Sequence, residues 1–501
     1  MGFSGLDIAI VVVYMLISTL VGAYIGRNQT STSDYFLGGR QIPWYAVTFS
    51  IVATETSVLT FIGMPGIAYL GNLTFLQLAL GYIVGRFLVA YLLLPAYYRG
   101  DIFTAYHYLE QRFGRGMRQT ASTTFMVTRL LADGVRLFAT AIPLALILQT
   151  SGMFSDLTPA QVSGLAIFAI GLLTIFYTYF GGIKSVIWMD VVQMAVYIGG
   201  ALLALYLMLD QLPDGFASVT AAAAPQDKLA WLNWGAGLSW SEFIKQPYTF
   251  FTALFGGAVF SLASHGTDQL IVQRVLTCKD LRASRLAITT SGVAVFLQFV
   301  LFLIIGSALF AFYQGASLQD LGQLRADGIF PKFIVEEMPN GVRGLLVAAL
   351  FAAAMSTLSS SLSSLSSAAV LDIYAPLFGD GKSEADLLRI SRRVTLLWGF
   401  VLMGAALFFM QFEGGTVVEL ALGIASYTYG GLLGSFLLGL VIPAAGQRDA
   451  IIAFVVALVT MTLLIRYVQI AWPLYTVVGS LTTILVGWIS SKLRSGAMHA
   501  G

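Results

Sequence analysis

Between Gly344 and Tyr374 the chain reads GLLVAALFAAAMSTLSSSLSSLSSAAVLDIY, with no charge until Asp372. Its middle carries Ser356, Thr357, Ser359, Ser360, Ser361, Ser363, Ser364, Ser366 and Ser367. In hydrocarbon a hydroxyl can bond back to the carbonyl four residues earlier, so a few such residues are tolerated. A run this dense asks for chemistry. At helical spacing Ala353, Ser356, Thr357 and Ser360 share one stripe. Neutral oxygens along it suit a small hard cation at membrane depth, without the burial of a carboxylate. Small residues also let helices pack closely. Packing alone accepts Ala and Gly equally, so the hydroxyls favour cation binding.

A second set of residues puts charge into apolar surroundings. Glu55 interrupts the run from Trp44, and Arg129, Asp133 and Arg136 follow one face of a later helix at i, i+4 and i+7. A lone charge at the bilayer centre costs about 2.5–3.5 kcal/mol even on the lenient insertion scale. Glu55 and the triad are therefore expected to neutralise one another, either around a substrate or as a purely structural network. His265 stands alone in a similar run, as a site residue or as a hydrogen-bonded core histidine.

Composition demands a membrane around these groups. The chain has 501 residues, 57% of them hydrophobic and 10% charged, and a mean hydropathy of +0.82. A soluble globule of this make-up lacks the polar surface to cover itself. The net charge of +2 gives no reason to expect a nucleic-acid partner. Cys278 is the single cysteine, which excludes a disulfide framework or a cysteine metal site. His107, His265 and His499 are too scattered for a metal centre. Residues 7–25 lack a basic flank before them and a cleavage site after them, so they are expected to stay as a span.

Apolar runs of spanning length fall near 7–25, 44–70, 74–97, 120–149, 158–179, 185–209, 249–271, 287–313, 343–374, 390–411, 416–443, 449–469 and 472–491, about thirteen helices in an all-α polytopic protein. Basic residues gather in alternate loops, as in Arg112, Arg115 and Arg118, then Arg274, Lys279, Arg282 and Arg285, then Arg389, Arg392 and Arg393. That bias expects the N-terminus outside, the C-terminus in the cytoplasm and the plasma (inner) membrane as location. The longest opposite loops, near 210–248 and 314–342, are too short to be enzymes.

Two runs look broken. The first carries Ala53-Thr54-Glu55-Thr56-Ser57 at mid-membrane; the second carries Gly256-Gly257 and then Ser264-His265-Gly266. Interrupted helices at matching places in two halves point to a transporter site, where unwound carbonyls meet ions and half-helix ends face the substrate. The breaks open two blocks, 44–209 and 249–443, each with about five spans. An odd number gives the blocks opposite orientations, as an inverted repeat requires.

These features together resemble the sodium–solute symporter family, which includes sodium-coupled sugar, sialic acid, proline and vitamin transporters. The resemblance runs through nearly the whole chain. It rests on SDYFLGGR at 33–40, ATETSVLTFIGMPGIAY at 53–69, GGIKSVIWMDVVQ at 181–193, GTDQLIVQR at 266–274 and the hydroxyl tract. It implies a single transporter domain over 1–501 with a leucine-transporter-like core of 5+5 helices, an extra helix at 7–25 and two more over 449–491. The family's sodium site would use backbone carbonyls at Ala53 and Thr56 with Ala353, Ser356 and Thr357. Some members hold a further sodium, and Asp190, Ser359 and Ser360 stand at those positions; Asp190 could instead be a helix-end residue tied to Lys184. For the substrate, the buried charges and the resemblance together give Glu55, Ser57, Thr60, Phe75, Arg129, Asp133, His265 and Leu422 as the expected residues. The motif GTDQLIVQR is most like the sodium–glucose branch, yet that branch's sugar contacts are missing. Its Asn is Glu55, its acid Ala79, its stacking Trp His265 and its Gln Leu422.

The expected function is sodium-coupled symport, importing a small polar organic solute (a sugar or polyol, a sugar acid or an amino acid) by alternating access. Sodium is the expected coupling ion, the bilayer the environment, and the monomer the working unit. A transporter-like sensor and a sodium-permeable channel are the alternatives. No nucleophile–base pair suggests an enzyme.

Overall fold

The computed structural model describes residues 4–499 apart from 101, 151–153, 155, 324 and 412–416. Among these residues eight helices are long and apolar enough to cross a membrane, together with one bent pair. In chain order the named helices are α1 (Gly5–Ile25), α2 (Trp44–Glu55), α3 (Val58–Leu70), α4 (Leu76–Arg99), α5 (Ala105–Phe113), α6 (Arg115–Thr150) and α7 (Pro159–Asp210). They continue as α8 (Phe250–Gly266), α9 (Gln269–Val275), α10 (Leu281–Phe312), α11 (Val342–Phe378), α12 (Glu384–Phe409), α13 (Val417–Val441), α14 (Gln447–Tyr467) and α15 (Trp472–Ser495).

The hydroxyl tract lies at the centre. The apolar window of α11 is 94% buried inside the protein, against 28% for α1, α12 and α14, which therefore face lipid. A polar helix so enclosed must find partners among its neighbours. Its first turn is tied by Asp7 of α1, whose carboxylate accepts the backbone N–H of Gly341 (2.7 Å) and Gly344 (2.8 Å). Those N–H groups are among the ones a helix start leaves unpaired, and a carboxylate there also answers the helix dipole.

Three breaks shape the bundle. The first is where the sequence places it: α2 and α3 bend by 65° across Thr56 and Ser57. The second directly follows Ser264-His265-Gly266 and is not at Gly256-Gly257. Helix α8 runs through that pair unbroken, and the chain opens at Thr267 and Asp268. The glycines serve close packing instead. A Cβ at Gly256 would lie 2.6 Å from Pro473, and one at Gly257 would lie 2.7 Å from the Leu78 carbonyl. Asp268 restarts the helix as its N-cap, accepting the Leu270 N–H at 2.9 Å. The third break is inside α7, where Gly182 adopts φ 54° and ψ −158°. It falls between the two spans expected near 158–179 and 185–209. Only glycine suits this conformation next to the Tyr35 carbonyl.

Candidate functional site

Helix α2 ends beside the hydroxyl stripe. The break frees the carbonyls of its last turn, Ala53 to Thr56, from helical partners. Thr54 Oγ1 lies 3.0 Å from Ser360 Oγ, joining that last turn to α11. Ala53, Thr56, Ala353, Ser356 and Thr357 are all buried, the first two at the end of α2 and the other three on α11. The Thr357 hydroxyl donates to the Ala353 carbonyl at 3.1 Å, so the two oxygens share one stripe. Thr56 is held from both sides: its hydroxyl donates to the Val52 carbonyl at 2.8 Å and accepts from the Gln298 side chain. A half-helix end with open carbonyls against a neutral hydroxyl stripe is the donor set a sodium ion takes.

Next to it lies a buried ion pair. Asp190 Oδ1 accepts the Ser356 hydroxyl at 2.6 Å, while Oδ2 accepts Ser50 at 2.5 Å and Arg274 Nη2 at 3.3 Å. Arg274 also donates to the Ser360 hydroxyl and, at 2.9 Å, to Ser50. Asp190 is thus no helix-end partner of Lys184, which is exposed. Arg274 is equally not a loop residue of the positive set counted for orientation; it is fully buried. Ser359 turns its hydroxyl to the Ser356 carbonyl at 3.1 Å. Of the residues expected around a second sodium, Asp190 and Ser360 are therefore already bridged by a guanidinium.

The charges of the substrate region form two separate groups, not the single cluster of Glu55 with the helix triad. Glu55, at the C-terminal end of α2 where the dipole disfavours an acid, is paired with Arg86 of α4 through Oε2. His265 Nε2 lies 3.4 Å from the same oxygen, and Arg86 Nη1 donates to Ser291 at 2.9 Å. The triad faces the other break. Arg129 is paired with Asp268 and donates to the Tyr429 hydroxyl at 2.8 Å, and that hydroxyl donates to Asp268 at 2.8 Å. Asp133 accepts from Ser361 at 2.6 Å and has Arg129 and Arg136 at 3.6 and 3.5 Å. The first two breaks thus each carry an acid, and each acid meets an arginine from a neighbouring span.

The remaining expected residues are placed as follows. Ser57 opens α3, its carbonyl accepting the Thr60 N–H at 2.9 Å, and Thr60 is half-buried on the first turn. Phe75 packs edge-on against Phe299 (5.0 Å between ring centroids) and against Tyr248 (5.6 Å). The side chain of Leu422 lies outside the described residues. Sequence reasoning missed Arg86, Asp268, Gln298 and Tyr429. A signal existed for two of them: Arg86 is a charge inside an apolar run, and Asp268 lies within the quoted motif.

The family model for the sodium:solute symporter family matches residues 35–457. The chain belongs to the sodium:solute symporter family. Among curated relatives, this symporter is similar to the sodium/sialic acid symporter SiaT of Proteus mirabilis, at 30% identity over 99% of this chain and 96% of that protein. It is also similar to the human sodium/iodide cotransporter, at 29% identity over 88% of this chain and 67% of the relative. Among solved structures it resembles a substrate-bound, outward-open sodium-coupled sialic acid symporter, with a TM-score of 0.85 and 30% identity over 98% of both chains. The symporter shares its fold alone with the nucleobase–cation symporter Mhp1, at a TM-score of 0.53 and 16% identity over 92% of this chain and 94% of that one. The fold is thus all-α and leucine-transporter-like. The protein is a multi-pass membrane symporter, not an enzyme, and it couples sodium to the movement of a small organic solute.

Proposed function

We propose that this symporter imports a neutral, hydroxyl-rich solute, a sugar or polyol, together with sodium by alternating access. Sodium would bind the open carbonyls at Ala53 and Thr56 with Ala353, Ser356 and Thr357, tying α2 to α11. The solute would lie beside it, bounded by Glu55, Ser57, Thr60, Phe75 and His265, with the Arg129–Asp268–Tyr429 group at the second break. The halves 44–209 and 249–443 would supply the two moving bodies, in a monomer of the plasma (inner) membrane with its N-terminus outside.

The observation that carries the solute class is the charge balance at Glu55. Its partner Arg86 is fully buried, while Glu55 keeps 20% of its side chain accessible. Both ionic contacts fall on Oε2, leaving Oε1 as an acceptor for a donor from the solute. The arginine next to the accessible acid is already neutralised, so an anionic solute would meet a carboxylate with no free cation behind it. Similarity to sialic acid symporters favours the second reading, a sugar acid, with Arg129 as its cation. Against that, Arg129 is committed to Asp268 and Asp133.

The test is thermal stabilisation of the purified symporter by sugars, polyols, sugar acids and amino acids, each with sodium and with potassium. Neutral hydroxyl-rich solutes should stabilise in sodium only. Stabilisation confined to sugar acids overturns the solute class, and stabilisation indifferent to sodium overturns the coupling.

A further inference from the structure

The segment between α7 and α8 carries Trp231, Trp234 and Trp240, three of the chain's eight tryptophans within ten residues. These are not core residues. Their exposures are 50%, 54% and 77%, and Leu238 beside them is also exposed. Nor is the segment free to move into water. The Leu73 N–H donates to the Ala230 carbonyl (3.0 Å), the Asn233 N–H to Gln77 Oε1 (3.0 Å), the Phe250 N–H to the Asn233 carbonyl (2.6 Å) and the Ala471 N–H to the Ile244 carbonyl (2.7 Å). Leu73 follows the end of α3, Gln77 starts α4, Phe250 starts α8 and Ala471 precedes α15. The loop is therefore fixed at the level where four helices end, which in a membrane protein is the boundary between headgroups and chains.

Below the loop the apolar surface continues. Phe251 and Phe255, on the first turns of α8, are each 57% exposed. Trp234 packs against Phe250 and Phe251 with ring centroids 4.8 and 6.2 Å apart, so the aromatic surface is continuous from loop to span. Tryptophan prefers this boundary because its ring is apolar and its N–H still reaches water or a headgroup. We infer that residues 231–240 form an interfacial anchor, with Trp231, Trp234 and Trp240 seated among phospholipid headgroups of the adjacent leaflet. The occupant of this surface is the bilayer itself, since the surface extends the lipid-facing side of α8. A mechanical consequence follows, because Ala230 and Asn233 on the same loop hold the ends of α3 and α4.

The test uses the full-length protein in phosphatidylcholine–phosphatidylglycerol vesicles, spin-labelled at Trp240→Cys; the native Cys278 is buried. Oxygen should broaden the spectrum, and broadening by a water-soluble nickel chelate should be weaker than at a label on the exposed Gln319→Cys. Broadening by nickel equal to that control means the loop lies in water and overturns the anchor. Protection from both reagents means another protein surface, such as a second copy, covers it, which also overturns the anchor. Should Trp240→Cys fail to fold, Ser241→Cys, likewise exposed, gives the same readout with all three tryptophans kept.

Discussion

Ser356 and Thr357 are adjacent on α11, yet they answer to different neighbours, and this decides which substitution reports on sodium. Ser356 donates to the buried Asp190 carboxylate, so its loss leaves an ionised group short of a donor and disturbs far more than an ion site. Thr357 donates only back along its own helix, to Ala353. Thr357→Ala therefore removes one oxygen from a site of about five with little else changed, and Thr357→Ser keeps it. Sodium affinity, read from sodium-dependent thermal stabilisation, should fall about tenfold in the alanine variant, roughly 1.4 kcal/mol, and recover in the serine variant. Unchanged affinity in Thr357→Ala removes the residue from the site. The sequence exposes these residues because hydroxyls and charges are conspicuous in an apolar chain. It does not expose their partners. That Glu55 meets Arg86 rather than Arg129 depends on how α2 lies against α4, which no spacing within either helix encodes.

Among the elements, the half-helix α3 starts behind Ser57 and bears Thr60, and its far end is held by a loop. Lys228 is buried, and its ammonium donates to the Tyr69 carbonyl at 2.7 Å while lying 4.3 Å from the centre of the Phe310 ring. Burial lowers the pKa of this lysine, so the contact opposes a desolvation cost. A cation at the last carbonyls of a helix contributes about 1 kcal/mol through the helix dipole. Lys228→Met should accordingly speed amide exchange at Ala68 to Gly71 about fivefold, while Lys228→Arg should restore protection. Exchange in Lys228→Met equal to wild type would show that Lys228 does not hold α3. The first break was legible because four consecutive polar or charged residues, Thr54 to Ser57, interrupt an apolar run. Of the second, Ser264-His265-Gly266 adjoins the opening at Thr267 and Asp268, whereas the glycine pair before it misleads, because such a pair reads the same whether it unwinds a helix or admits a neighbouring backbone. Only the approach of Pro473 and Leu78 distinguishes the two.

For the whole molecule, charge links the number of sodium ions to the nature of the solute. Glu55, Asp133, Asp190 and Asp268 are balanced in the membrane interior by Arg86, Arg129, Arg136 and Arg274. His265, beside Arg86 and Glu55, adds no charge in its neutral form. One sodium with a neutral solute leaves one excess positive charge; two sodium ions leave two, unless the solute is an anion. The seat of the expected second sodium is also bridged by Arg274, between Asp190 and Ser360. A second cation there must enter against a guanidinium in a low-dielectric setting. One sodium per neutral solute is therefore the expected stoichiometry. Each ion entering down 100 mV yields about 2.3 kcal/mol, and a tenfold concentration ratio yields about 1.4 kcal/mol more. One ion thus concentrates a neutral solute by about 500-fold and two by about 10⁵-fold, a gap wider than assay error. The reversal potential of solute flux in proteoliposomes at fixed gradients measures it directly. A wild-type value fitting two ions with a neutral solute would mean that Arg274 withdraws from Asp190 during the cycle. It would also return Asp190, Ser359 and Ser360 to the role of a second sodium site.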